Sequence, residues 1–169
     1  MLETPVNAAP LTKEQRVAGV NQQESQMSWL GGFIDGEGSF SITLKREKGK
    51  TFYYPDISIV NTNPLDIDKA MGILKPICGF HVETKQANGP RKLKLWRIRI
   101  LGFGRVKAFL PAILPYLVGK REQAELLQQF VATKGDNDLD VREALRRQLS
   151  ASRNPQRLYA QHFAHLIVK

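Results

Sequence analysis

The segment from Leu30 to Phe40 constrains this chain more than any other part of it. Its residues, Leu30-Gly31-Gly32-Phe33-Ile34-Asp35-Gly36-Glu37-Gly38-Ser39-Phe40, carry an apolar, glycine-bearing helical pattern into a turn with two carboxylates. A strand-like alternation follows at once, with Phe40, Ile42 and Leu44 on one face and Ser39, Ser41, Thr43 and Lys45 on the other. A carboxylate at the end of an oily helix loses hydration and needs a hydrogen-bond network or a bound cation. Glycines cost a helix roughly 1 kcal/mol each relative to alanine. Gly31-Gly32 therefore implies the close approach of another backbone, from elsewhere in the chain or from a second molecule.

Around this segment the chain reads as an α+β order. Residues 1–21 form an N-terminal arm, in which Thr12 opens a short helical piece. Asn21 is placed to cap a helix over about 22–34. A basic loop, Arg46 to Thr51, leads to a second strand from Phe52 to about Thr62, with Ile57 and Ile59 inward and Tyr54, Asp56 and Ser58 outward. Asn63-Pro64 stops it, and a helix from about Leu65 to Ile77 ends at Gly79. Strands over His81–Gln86 and Leu93–Leu101 follow, joined by residues 87–90, where Asn88-Gly89 is a hairpin-turn pair. In the last strand Trp96, Ile98 and Ile100 share one face, and Leu95, Arg97 and Arg99 the other. Helices over about Arg105 to Leu114 or Leu117, Lys120–Thr133, Val141–Ser150 and Asn154–Ile167 complete the chain. There is no internal repeat. The reading is one domain over 22–169, with a core at about 22–135 and C-terminal helices at about 138–168.

Charge narrows the partner. The formal net charge is +9 over 169 residues. Residues 41–105 hold 13 basic and 5 acidic groups, whereas residues 1–40 hold 2 and 5. The excess thus lies in the strand region, as a nucleic-acid surface requires; the plain alternative is a solvated basic face. Cys78 is the one cysteine, so no intrachain disulfide forms. No apolar stretch spans a bilayer, and the first residues lack a secretory pattern. The expected setting is intracellular, a bacterial or archaeal cytoplasm or an organelle matrix. His162 and His165 have no third ligand and read as helix surface. Asp136, Asp138 and Asp140 lack a calcium loop's Gly and closing Glu, and read as a loop and helix cap.

The element order and the Leu30–Phe40 motif resemble the single-motif LAGLIDADG homing endonucleases. Leu30, Gly32, Ile34, Asp35 and Gly38 match the name-giving letters, and Gly31, Phe33, Gly36 and Glu37 are family variants. The resemblance in element order covers about residues 22–135. It implies a mixed αββαββα LAGLIDADG fold, a four-stranded antiparallel saddle with additional C-terminal helices. It implies a homodimer that packs two motif helices together at Leu30, Gly31, Gly32, Ile34 and Asp35 and hydrolyses both strands of a nearly palindromic DNA target. Glu37 matches the family's metal ligand, and the Gly36 carbonyl adds a donor; Asp35 supports the turn and interface. The implied cofactor is Mg²⁺, with Mn²⁺ or Ca²⁺ as substitutes in binding. Asn63, at the end of the second strand, and Lys120, with Arg121 as its alternative, take catalytic positions by the same likeness.

In such a fold the polar strand faces read DNA. Ser41, Thr43, Lys45, Tyr54, Asp56 and Ser58 come from the first hairpin, and His81, Glu83, Lys85, Arg97 and Arg99 from the second. Lys48, Lys50, Arg91 and Lys92 sit in loops suited to phosphate contacts. Val82 and Thr84 would replace the His81–Lys85 set if the register moved by one. Two other functions fit the same resemblance, an intron-splicing maturase that binds RNA and a DNA-binding regulator. Retained Glu37 favours cutting over the first. The missing helix-turn-helix disfavours the second.

Overall fold

A computed structural model describes residues 13–86, 94–136 and 138–153. Helix α1 (Lys13–Glu37) leads into β1 (Gly38–Glu47), β2 (Lys50–Asn61), α2 (Pro64–Leu74), β3 (His81–Gln86) and β4 (Lys94–Leu101). Helix α3 (Phe103–Ile113), a 3₁₀ turn at Leu114–Tyr116, α4 (Arg121–Ala132) and α5 (Leu139–Ser152) follow. The strands form one antiparallel sheet in the order β1-β2-β4-β3. The expected α+β architecture is present. No helix among the described residues is long and apolar enough to cross a membrane.

Alternation sorts the sheet into two faces. Phe40, Ile42, Tyr53, Ile57, Ile59, Ile98 and Ile100 are buried beneath the helices. Met27, Leu30 and Ile34 of α1, Ile67 and Leu74 of α2, Phe109 and Leu110 of α3, and Leu127 and Phe130 of α4 complete this core. Helices cover one face only, which leaves the other for solvent or a partner. Pro55 is tolerated in β2 because it sits where the ladder to β4 begins. There its carbonyl accepts from Gly102 N at 3.1 Å, and the N–H it lacks falls on the same side.

Three local expectations change. Asn21 caps nothing: α1 is continuous from Lys13 and crosses the expected boundary between arm and domain. The helix also runs on through Asp35, Gly36 and Glu37, and β1 starts at the next residue with no intervening loop. Gly38 makes this possible, since a Cβ there would lie 2.6 Å from Ile34 O and 2.7 Å from Ile34 Cγ2. The expected basic loop at 46–51 is a tight hairpin: Lys48 (φ 49°) and Gly49 (φ 76°) are both left-handed, as a two-residue turn with the right twist requires. The Thr12 helix start, the 87–90 turn, the helix at 154–167 and the pair His162 and His165 lie outside the described residues.

Helix α5 begins where Asp138 accepts from Asp140 N and Val141 N, both at 3.0 Å, the expected cap. It is tied back by Arg142 Nη2, which donates to Thr133 O at 2.7 Å, and by Tyr53 OH, which donates to Glu143 Oε2 at 3.1 Å. Hydrogen bonds from Arg146, Arg147 and Tyr53 hold the Glu143 carboxyl well below the usual carboxylate range. A depressed acid stabilises the fold above its unfolded pKa of about 4.3, and that contribution disappears as pH falls. Glu143→Gln is therefore expected to flatten the loss of thermal stability between about pH 5 and pH 3. Parallel melting curves for both proteins across that window, with equal acid slopes, would contradict the role of Glu143.

Candidate functional site

The foot of α1 is clamped from both directions. The Asp35 carboxylate accepts from three successive amides, Val118 N at 2.8 Å, Gly119 N at 3.0 Å and Lys120 N at 2.9 Å. Such a run of amides is a nest for an anion. In return the Lys120 ammonium donates to Ile34 O at 2.9 Å and to Asp35 O, two carbonyls that the end of a helix otherwise leaves unpaired. Burial pushes the Lys120 ammonium pKa down, against the opposing pull of the Asp35 and Glu37 carboxylates. Arg121 turns away and donates to Leu117 O and Pro115 O. Of the two basic residues, Lys120 faces the acidic helix end. Asp35→Asn removes charge from three bonds and is expected to cost about 1.5–3 kcal/mol, measured by denaturant unfolding; an unchanged midpoint would refute the clamp.

Glu37, by contrast, is exposed. It opens into a depression of about 310 Å³ lined also by Gly36, Val60, Asn61, Thr62 and Leu95. Asn63 is not part of this lining. Its Oδ1 accepts from Leu65 N at 3.0 Å and its Nδ2 donates to Asp66 at 2.8 Å, so it caps α2. The polar strand-end residue beside Glu37 is Asn61, whose Oδ1 accepts from Asn63 N at 2.8 Å. The sequence signal for this lay in Asn63-Pro64, a cap and N1 pair that marks Asn61 as the last strand residue with an amide.

Metal-binding capacity at this end is partial. Among the described residues no group of three or more His, Cys, Asp or Glu comes together. The donors at hand are the Glu37 carboxylate and the Gly36 carbonyl, because Asp35 is spent on the clamp. That set fits a hard cation that takes most of its oxygens from water and phosphate, as Mg²⁺ does.

The residues expected at a helix seam divide. Leu30 and Ile34 are 0% exposed in the chain's own core. Gly31 is packed on the 3₁₀ turn, where a Cβ would lie 2.4 Å from Tyr116 O. The close backbone that Gly31 demands therefore belongs to the same chain. Gly32 and Gly36 face outward, with nothing within 4 Å of a Cβ at either position. Beside them Trp29 and Phe33 stack at 5.0 Å, and Lys69 Nζ lies 4.1 Å from the Trp29 ring centre.

The open sheet face has the expected register. Ser41, Thr43 and Lys45 lie opposite Asp56, Tyr54 and Phe52, and Ser58 opposite Arg99. His81, Glu83 and Lys85 lie opposite Arg99, Arg97 and Leu95, which places Val82 and Thr84 on the other face. Lys48 and Lys50 are exposed at the hairpin; Arg91 and Lys92 lie outside the described residues. Asp56 is on this face yet only 7% exposed, because it pairs with Arg99. Two features were not anticipated: Phe52 stacks on Tyr54 at 6.4 Å, and Arg105 Nη1 lies 2.7 Å from His81 Nε2.

No protein-family model matches the chain, and no curated protein matches it in sequence. Solved structures do match. The homing endonuclease I-CvuI, solved with its DNA target in the presence of Ca, aligns with a TM-score of 0.66 and 19% identity over 79% of this chain and 85% of that one. The archaeal intron-encoded homing endonuclease I-Vdi141I, complexed with DNA, gives 0.66 and 18% over 78% and 86%. The LAGLIDADG homing endonuclease I-GzeII, with its DNA target, gives 0.55 and 17% over 85% of this chain and 50% of that one. The chain has the fold of the LAGLIDADG homing endonucleases.

Proposed function

We propose that this chain is a site-specific, intron-encoded DNA endonuclease that cuts both strands of its target as a homodimer with Mg²⁺. The observation that carries the reading is the position of Glu37. It is an exposed carboxylate at the foot of α1, one residue before the strand whose polar side joins the helix-free sheet face. A duplex lying on that face brings phosphate to the acid.

One chain offers one such carboxylate, so cutting two strands takes two copies. The open side of α1 around Gly32 and Gly36 admits a second backbone closely, and a two-fold pair matches a two-fold target. Glu37 and the Gly36 carbonyl are the donors for the metal, which when bound activates water and offsets charge on the phosphate. The Lys120 ammonium, which donates to the Ile34 carbonyl in the last turn of α1, would supply positive charge for the phosphate. Asn61 in the same depression offers an amide to orient water. Nothing in the geometry favours the RNA-binding maturase over this reading.

The test is cleavage of a randomised duplex library by the full chain. With Mg²⁺ a defined, nearly palindromic sequence should be cut, and chelation should stop cutting while duplex binding persists. Cutting that is equally fast in chelator would remove the metal from the reading. Binding to intron RNA without any duplex cleavage would replace the endonuclease by the splicing helper.

A further inference from the structure

Asp56 is the sole buried polar or charged residue of the described part. Its Oδ2 accepts from Arg99 Nη2 at 2.5 Å, and its Oδ1 has no partner. Arg99 also donates through Nη1 to Glu83 Oε1 at 3.4 Å, and Glu83 Oε2 lies 4.0 Å from Arg97 Nη1. Two cations and two anions thus cancel at the middle of the open sheet face, and Lys45 is paired with Glu47 at 2.9 Å toward its edge.

Stability is a poor reason for this arrangement. A carboxylate buried with one oxygen unmatched loses more hydration than a single pair returns, and apolar replacements of such pairs are often neutral or better. Direction is a better reason. Arg99 stands on β4 between its two carboxylates, with Asp56 on β2 at one side and Glu83 on β3 at the other. The tether spends one N–H on each acid, and the other three N–H donors of the rigid planar fork have no partner among the described residues. A guanidinium held in this way suits the O6 and N7 of guanine in the major groove. With its charge already balanced, it is less drawn to phosphate, which carries no sequence information.

We propose that Asp56 is a positioning residue that commits Arg99 to reading one guanine in each half of the DNA target. This rests on the endonuclease reading above. The test compares the full-length wild type with Asp56→Asn, Glu83→Gln and Arg99→Gln, selecting bound duplexes from a randomised library and titrating affinity against salt.

The wild type should select guanine at one position per half-site, and Arg99→Gln should erase that preference. Asp56→Asn should weaken it at the same position by about fivefold or more. It should also steepen the slope of log affinity against log salt by up to about 0.9, as a freed Arg99 takes a phosphate. Glu83→Gln, on the exposed edge strand, should shift both readings in the same direction and carries the test should Asp56→Asn fail to fold. A lowered melting point with base preference and salt slope unchanged would make Asp56 merely structural and overturn the proposal. Unchanged guanine selection by Arg99→Gln would overturn it as well. A wild type that binds no duplex at all would instead defeat the endonuclease reading.

Discussion

Glu37→Gln is expected to abolish cleavage while leaving the protein folded and bound to its target. The loss should reach about 10³-fold or more, the scale associated with removing a preorganised charge partner at a reacting phosphate. The exposed side chain packs against nothing in the core, so the melting midpoint should hold. Binding should persist or tighten, because a carboxylate facing phosphate is removed. Single-turnover cleavage at saturating protein, beside a gel-shift titration, separates the two effects. Equal cleavage by both proteins would end the assignment of Glu37 as a metal ligand and move attention to another acid.

Two neighbouring glycines make a sharper experiment, because one substitution should act with opposite signs. Gly31→Ala drives a methyl to within 2.4 Å of the Tyr116 carbonyl, a backbone atom that cannot rotate away. Overpacking of this kind costs about 1–3 kcal/mol, enough to outweigh the gain in helix propensity. Gly32→Ala meets nothing within 4 Å and should stabilise the dilute, unpaired chain by about 0.5–1 kcal/mol. On the homodimer reading, Gly32→Leu should then block pairing, and sedimentation on target DNA should report one bound copy where the wild type gives two. Equal midpoints for Gly31→Ala and the wild type would refute the Tyr116 contact. Two bound copies of Gly32→Leu would move the seam elsewhere.

Legibility in the sequence followed the locality of the signal. Strand faces come from a period of two, and β1, β2, β3 and β4 all kept the faces expected of them. The β3 strand was the hardest case, since Val82 and Thr84 also alternate with polar neighbours; pairing with β4 decides it. The boundary at Asn21 was misplaced because capping residues also occur inside helices: the piece expected to open at Thr12 and the helix expected from 22 are one continuous α1 from Lys13. Gly31 was legible as a close approach but not its partner: Tyr116 lies 85 positions away, and only the fold brings the two together. The same holds for Asp35, whose three amide donors come from residues 118–120. Asn63 reads alike in sequence as a helix cap and as a candidate site group, and the structure shows the cap. Asp56 was placed on the correct face, but its burial depends on Arg99, a residue of another strand.

The direct passage from α1 into β1 has a consequence for any attempt to redirect this protein. No flexible joint separates the acid at the end of the helix from the first outward side chain of the sheet, Ser39, two positions later. The offset between the site of chemistry and the positions that touch a partner is therefore a property of the backbone, not of the side chains. Exchanging outward residues such as Thr43 or Tyr54 leaves that offset intact. A single residue inserted after Gly38 would turn Phe40 and Ile42 to solvent and Ser41 and Thr43 into the core. The surface is open to new side chains but closed to new spacing.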